Sequence, residues 1–236
     1  APVVLHFTLE MGRQQVVSRM LCSRARVDAH RLRTGRIPSD ALHELTGAAD
    51  ELSRTSIFID DTSALSMMSL RSRARRQKAR TGLDLIVVDY LQLLSFPKSE
   101  SRQQEISNIS RSLKSLAREL EVPVIALAQL SRQVELRDPP RPQLADLRES
   151  GSIEQDADVV LFVFREEYYH QMRKPLETNR EKFAEWLAEG EKVHGKAEVI
   201  IGKQRHGPTG TVELQFDGAV TRFSSLAREG QLPERI

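Results

Sequence analysis

Short apolar runs alternate with amphipathic, charged stretches along this chain, and the alternation predicts strands alternating with helices. Val3 to Phe7 reads as a strand, and Met11, Val16, Val17, Met20 and Leu21 then share one side of a helix running from Glu10 to about Arg24. Arg24 to Arg36 is basic and contains Thr34-Gly35; Pro38-Ser39 marks the boundary before a helix from Ala41 to Leu52. Ser56 to Ile59 is a short strand closed by Asp60-Asp61-Thr62-Ser63, and a helix with a basic face covers Ser66 to Arg80. Leu85 to Asp89 is the central strand. After a loop from Phe96 to Arg102, apolar residues from Ile106 to Leu120 recur at three-to-four spacing and predict a helix from Gln104 to Glu121. Pro123 to Gln129 and Val159 to Phe164 are apolar runs bounded by polar turns, the pattern of buried parallel strands.

Between those two runs lies D-L-R-E-S-G-S-I-E-Q-D-A-D, Asp146 to Asp158. A charged loop leaving the C-terminal end of a parallel strand sits where open α/β sheets bind ligands. Glu166 to Gly195 is charged and weakly amphipathic, and reads as a surface insertion with one short helix around Lys182 to Ala188. Ala197 to Gly202, Thr211 to Phe216 and Val220 to Phe223 are strands, the last two joined by an Asp217-Gly218 turn. The expected architecture is one three-layer α/β domain over residues 1–236, with a mainly parallel sheet and a C-terminal β-meander. No internal repeat is present.

A length of 236 residues accommodates one α/β domain with a sizeable core. The net charge of +2 is far from a polycation, so nucleic-acid contact requires a local patch or many copies around a ring. Cys22 is the only cysteine, which excludes an internal disulfide and fits a reducing cytosol. It falls among Met20, Leu21 and Ala25, as a buried structural thiol would. No apolar run reaches the roughly 18 residues of a membrane helix, and no signal-peptide pattern opens the chain. The chain starts almost directly on a strand, which reads as an N-terminal truncation.

Asp89 closes a buried strand, where a carboxylate can hold the water shell of magnesium against nucleotide phosphates; taken alone it is equally compatible with an ordinary strand-ending turn. Gln129, after A-L-A, could hydrogen-bond a γ-phosphate, although a polar residue at a strand exit explains it as well. Glu10, in F-T-L-E-M, could polarise an attacking water, or simply favour a nearby helix N-terminus. Three such residues at the ends of three parallel strands are a stronger signal than any one. Lys203 and Arg205 precede His206-Gly207-Pro208-Thr209-Gly210 with no acidic partner within that turn. They suit stabilisation of a phosphoryl group on a neighbouring subunit, and equally a solvated basic hairpin. Arg148, Glu149 and Gly151 place an arginine and a close-approach glycine in the charged loop. Gly190 to Ala197 matches G-x-x-x-x-G-K by chance: Ala197 stands where Ser or Thr should, and the segment leads into a strand rather than a helix. The cations from Arg71 to Arg80 could face nucleic acid, solvent or another subunit. The histidines show no metal-ligand spacing.

The blocks F-T-L-E-M, R-T-G, I-F-I-D-D-T, L-I-V-V-D-Y-L-Q-L, V-P-V-I-A-L-A-Q-L-S-R, D-L-R-E-S-G-S-I-E-Q-D-A-D and I-I-G-K-Q-R-H-G-P-T-G-T-V occur in this order. In them the chain resembles the C-terminal RecA-type motor domain of the bacterial replicative DNA helicases, the DnaB family, over nearly everything but Glu166 to Gly195. The resemblance implies a RecA-like P-loop NTPase fold, ATP and magnesium as cofactors, and a homo-hexameric ring around single-stranded DNA in the cytoplasm. It implies primase and a helicase loader as partners of the parent protein. By the same resemblance Glu10 is the catalytic carboxylate, Asp89 the magnesium aspartate, acting through water, and Gln129 the γ-phosphate sensor. Lys203 and Arg205 become trans-acting cations, Arg19 lies near the nucleotide, and Arg148, Glu149 and Gly151 line the DNA-contacting loop. The family's phosphate-binding loop would lie upstream of Ala1, so hydrolysis is expected of the parent protein rather than of these residues alone. Two alternatives stand beside this reading: a recombinase-type filament ATPase of the same fold, and a non-catalytic DNA-binding or interaction module.

Overall fold

In a computed structural model of the chain, residues 1–97, 99–147, 151–176 and 178–226 are described, apart from the side chain at position 40. The first half alternates strand and helix. β1 (Val3–Thr8) leads to α1 (Arg13–Ala25), α2 (Ala29–Arg33) and α3 (Ser39–Ser53). β2 (Ser56–Asp60), α4 (Met67–Thr81), β3 (Leu85–Asp89), α5 (Arg102–Leu120) and β4 (Val124–Ala126) follow. The second half contains α6 (Gly151–Asp156), β5 (Val159–Phe164), α7 (Glu166–Met172) and α8 (Arg180–Val193), then β6 (Lys196–Gln204), β7 (Gly210–Asp217) and β8 (Arg222–Ser225).

The expected helices of the first half are present within a few residues of their predicted ends. Local chemistry fixes those ends: Ser66 Oγ accepts from Ser69 N at the start of α4, and Ser101 Oγ from Gln104 N at the start of α5. The short α2 was not predicted; Asp28 caps it by accepting from His30 N at 2.6 Å and Arg31 N at 3.3 Å.

The strands form two sheets rather than one. The first is wholly parallel, in the order β2-β1-β3-β4; the second is antiparallel, in the order β5-β6-β7-β8. Helices on the first sheet bury its core, where Phe7, Leu70, Ile86, Ile106, Ile109 and Leu116 are fully enclosed. A smaller cluster, with Val160 and Phe162 of β5 at its centre, includes Ala128 and Leu130 from the chain leaving β4, so the two sheets adjoin at that seam.

Val159 to Phe164 departs from expectation. It pairs antiparallel with β6, and Val159, Leu161 and Val163 on its other face are 49%, 56% and 61% exposed. Its continuous apolarity resembles a doubly covered parallel strand, but only one face is covered by these residues. β4 is similar, with Ile125 53% exposed. Both strands stand at the end of their sheet, so each has an unpaired edge.

The segment from Glu166 to Gly195 contains two helices where one short one was expected. Trp186 Nε1 donates to the carbonyl of His170 at 2.9 Å, and its ring stacks on the imidazole, fastening α8 to α7. Aromatic pinning of this kind leaves no helical period in the sequence. β8 begins at Arg222, two residues beyond the expected start, because Asp217 Oδ1 accepts from Ala219 N and extends the turn.

Candidate active site at the strand ends

Parallel pairing places Thr8 beside Asp89 and Val88 beside Ala126, so β1, β3 and β4 finish along one edge. Leu9 N donates to the Asp89 carbonyl at 2.8 Å, and Leu127 N to that of Val88 at 2.9 Å, which prolongs the alignment beyond the strands. Glu10 lies two residues past β1 and is exposed; Asp89 is the last residue of β3 and is half-buried. Gln129 lies three residues beyond β4, which ends earlier than its apolar run. These three candidates therefore stand at the carboxyl edge of three adjacent strands, where α/β sheets place ligands.

The sequence pattern held no sign of what supports Gln129. The Gln92 side chain accepts from Gln129 N at 3.2 Å and donates to Gln129 O at 3.1 Å. That amide pair fixes the backbone of Gln129 and leaves its own exposed side chain to meet a ligand. Just past the end of neighbouring β2, Asp61 meets Arg13, which opens α1. The Arg13 backbone N–H donates to the Asp61 carboxylate at 3.0 Å and its guanidinium at 3.2 Å. An open cleft of about 610 Å³ is lined there by Gly12, Arg13, Gln14, Gln15 and Asp61. Arg19 is exposed further along α1, and no hydrogen bond or ion pair among the described residues links it to Glu10, Asp89 or Gln129.

Among the described residues no group of three or more His, Cys, Asp or Glu could hold a metal ion. One carboxylate at a strand end, Asp89, nevertheless fits magnesium, which keeps several waters and takes most remaining oxygens from substrate phosphates.

Lys203 and Arg205 lie at the exit of β6 on the second sheet, and β6 is interior rather than at an edge. Arg205 has an acidic partner, although none lies within its turn. Its Nη1 lies 3.0 Å from Asp158 Oδ1, a residue nearly fifty positions earlier that pairing with β5 brings alongside. Lys203 Nζ donates to the carbonyl of Glu154 at 2.5 Å. Neither cation is bonded to Glu10, Asp89 or Gln129 among the described residues. Arg148 and Glu149 lie outside the described residues. Gly151 opens α6, and a Cβ there would meet nothing within 4 Å. The chance motif from Gly190 to Ala197 runs from the end of α8 into β6, the reverse of a strand-to-helix phosphate loop.

The basic helix proves to be largely structural. Arg71 and Arg75 both pair with Glu119 of α5, Lys78 donates to the Leu120 carbonyl, and Arg73 bonds Asp60 and Thr62. Burial pushes the Asp60 carboxyl up, but the hydrogen bonds from Arg73 and Thr62 outweigh it and hold the group below its ordinary value of 3.8. A depressed carboxyl contributes stability above its unfolded pKa and loses it as pH falls through the folded one. Arg73→Gln removes the largest of the contributions that oppose burial, leaving those from Thr62, and should move the onset of acid unfolding to higher pH. Thermal melts of both proteins between roughly pH 3 and 7 check this; coincident curves would remove Arg73 from the account.

The family described as "DnaB-like helicase C terminal domain" matches residues 1–225. The chain is 48% identical over 223 residues to "Replicative DNA helicase DnaB" of Rickettsia prowazekii (strain Madrid E), covering 94% of this chain and 46% of the relative. It is 48% identical over 232 residues to the protein of the same name from Geobacillus stearothermophilus, covering 96% and 47%. It thus spans about half the length of these relatives. Among solved structures it is similar to one described as an "ATPase Domain", with a TM-score of 0.82, 39% identity, and 95% of this chain and 75% of that one covered. A second, "The Structure Of A DnaB-Like Replicative Helicase And Its Interactions With Primase", has the same score and identity, covering 95% and 51%.

Proposed function

Because the chain belongs to the family of DnaB-like helicase C-terminal domains, we propose that it is the RecA-like motor of an ATP-driven replicative DNA helicase. The observation that carries the reading is the shared edge of β1, β3 and β4, which aligns Glu10, Asp89 and Gln129. Glu10 orients and deprotonates the attacking water. Asp89 would hold magnesium through water, and the ion would neutralise phosphate charge when bound. Gln129, braced by Gln92, reports on the γ-phosphate. Lys203 and Arg205 serve the site of the next subunit in a homo-hexameric ring, and Arg19 lies near the nucleotide. Arg148, Glu149 and Gly151 contact the backbone of single-stranded DNA. Primase and a loader bind the whole protein.

The unpaired edges of β4 and β5, with their exposed Ile125, Leu161 and Val163, support a further element of this reading. A strand, phosphate-binding loop and helix of the parent protein enter that seam and unite the two sheets. The only G-x-x-x-x-G-K within the 236 residues is the misplaced one at Gly190, so these residues alone should not hydrolyse ATP.

The test measures single-strand-stimulated hydrolysis, duplex unwinding and solution mass of the full-length parent, with the isolated 236 residues in parallel. A hexamer that unwinds is expected. Open filaments with strand exchange and no unwinding would favour a recombinase, and DNA binding without turnover an interaction module. Robust turnover by the isolated chain would overturn the requirement for the added loop.

A further inference from the structure

Arg205 is tied to Asp158 twice. Its backbone N–H donates to the Asp158 carbonyl at 2.9 Å, and its guanidinium Nη1 lies 3.0 Å from Asp158 Oδ1. The second carboxylate oxygen, Oδ2, accepts from Lys114 Nζ on α5. That hydrogen bond, together with the charges of Lys114, Arg205 and Arg118, outweighs burial and holds the Asp158 carboxyl below its ordinary range. Two residues before Arg205, Lys203 Nζ reaches the carbonyls of Glu154 at 2.5 Å and Gln155 at 3.5 Å, in the last turn of α6. α6 in turn is fastened to α5, where Ser110 Oγ donates to Asp156 Oδ2 at 2.8 Å and Ser107 bonds Ser152.

We infer that Asp158 is a positioning residue for Arg205: anchored through one oxygen by Lys114, its carboxylate forms an ion pair with one guanidinium nitrogen through the other and biases the remaining N–H groups toward an anion. This rests on the reading of Arg205 as a cation acting on a neighbouring site. Guanidinium is a planar fork with five donors, so an ion pair at one nitrogen restrains the group while the others stay available. An arginine already held in place loses less rotamer freedom when it meets a phosphoryl group. Stability is a poor explanation for the contact, because the two side chains are 45% and 52% exposed and such pairs contribute little. Lys203 gives the same hairpin a second anchor on α6, so contacts tie α5, α6 and the hairpin together.

In the full-length hexamer with ATP and single-stranded DNA, Asp158→Asn should lower kcat about tenfold through misorientation while KM stays within about twofold. Asp158→Glu should recover part of the loss. The double variant Asp158→Asn/Arg205→Ala should be no slower than Arg205→Ala alone, since the first change acts only through the second residue. The melting temperature should hardly move; if Asp158→Asn does unfold the protein, Lys114→Met removes the anchor from α5 instead and should lower kcat in the same direction. A wild-type or raised kcat in Asp158→Asn overturns the inference, the raised rate showing restraint rather than alignment. So does an effect that persists undiminished in the Arg205→Ala background. A wild-type rate in Arg205→Ala itself would instead remove the underlying reading of Arg205, whatever Asp158 does.

Discussion

Arg205→Ala is expected, under the ring motor proposed above, to lower DNA-stimulated ATP hydrolysis by the full-length protein by about 10³-fold or more, the loss typical of a missing arginine finger. The charge that builds on a transferring phosphoryl group has to be met by groups already in place, and a guanidinium can bridge two of its oxygens. The fold should survive, because the Asp158 contact that would be lost is exposed on both sides. Circular dichroism and solution mass check that point. Lys203→Ala should also reduce the rate and, by freeing the last carbonyls of α6, loosen the hairpin.

Mixing settles which site Arg205 serves. Arg205→Ala subunits are combined with Glu10→Ala subunits, each inactive alone. In a head-to-tail ring every interface is heterologous, so random assortment makes roughly one interface in four carry both an intact Arg205 and an intact Glu10. Partial recovery is the expected result. If both residues served one subunit's own site, every site would stay defective and mixing would restore nothing.

Phe7→Ala is expected to destabilise the domain by about 3–5 kcal/mol, a large share of the roughly 5–15 kcal/mol available to a folded protein. Phe7 is fully enclosed on β1, an interior strand of the parallel sheet, in the same cluster as Leu70, Ile86, Ile106 and Ile109. A strand hydrogen-bonded to β2 on one side and β3 on the other cannot readily shift into the space, so the lost contacts are compounded by a cavity. Urea titration should show a lower midpoint with a similar slope. A loss below about 1 kcal/mol would mean that the site relaxes and is less tightly packed than its burial indicates.

Much of this protein was legible in the order of its residues. The three-to-four spacing from Ile106 to Leu120 located α5, and the run from Leu85 to Asp89 located β3 with its carboxylate in place. Their signals are local: each residue's partners for helix formation or strand burial lie within a few positions along the chain. The long blocks around Asp89, Gln129 and Lys203 carried the family in the same way. Of the two helices between Glu166 and Gly195, α7 was not legible, because its His170 is held by stacking on Trp186 of α8 rather than marked by a period.

Residue order alone dictated which residue types end each strand, and hence that Glu10, Asp89 and Gln129 were candidates. How they are supported, and what the cations touch, emerged with the folded chain. Gln92 reaches Gln129 across 37 positions, Arg73 answers Asp60 rather than solvent, and Asp158 meets Arg205 because β5 and β6 pair antiparallel. The division of the strands into two sheets was likewise invisible, since an apolar run reads the same whether one face or both are covered. Strand and helix are set by neighbours along the chain, whereas pairing, register and charge partnership are set by residues that only folding brings together.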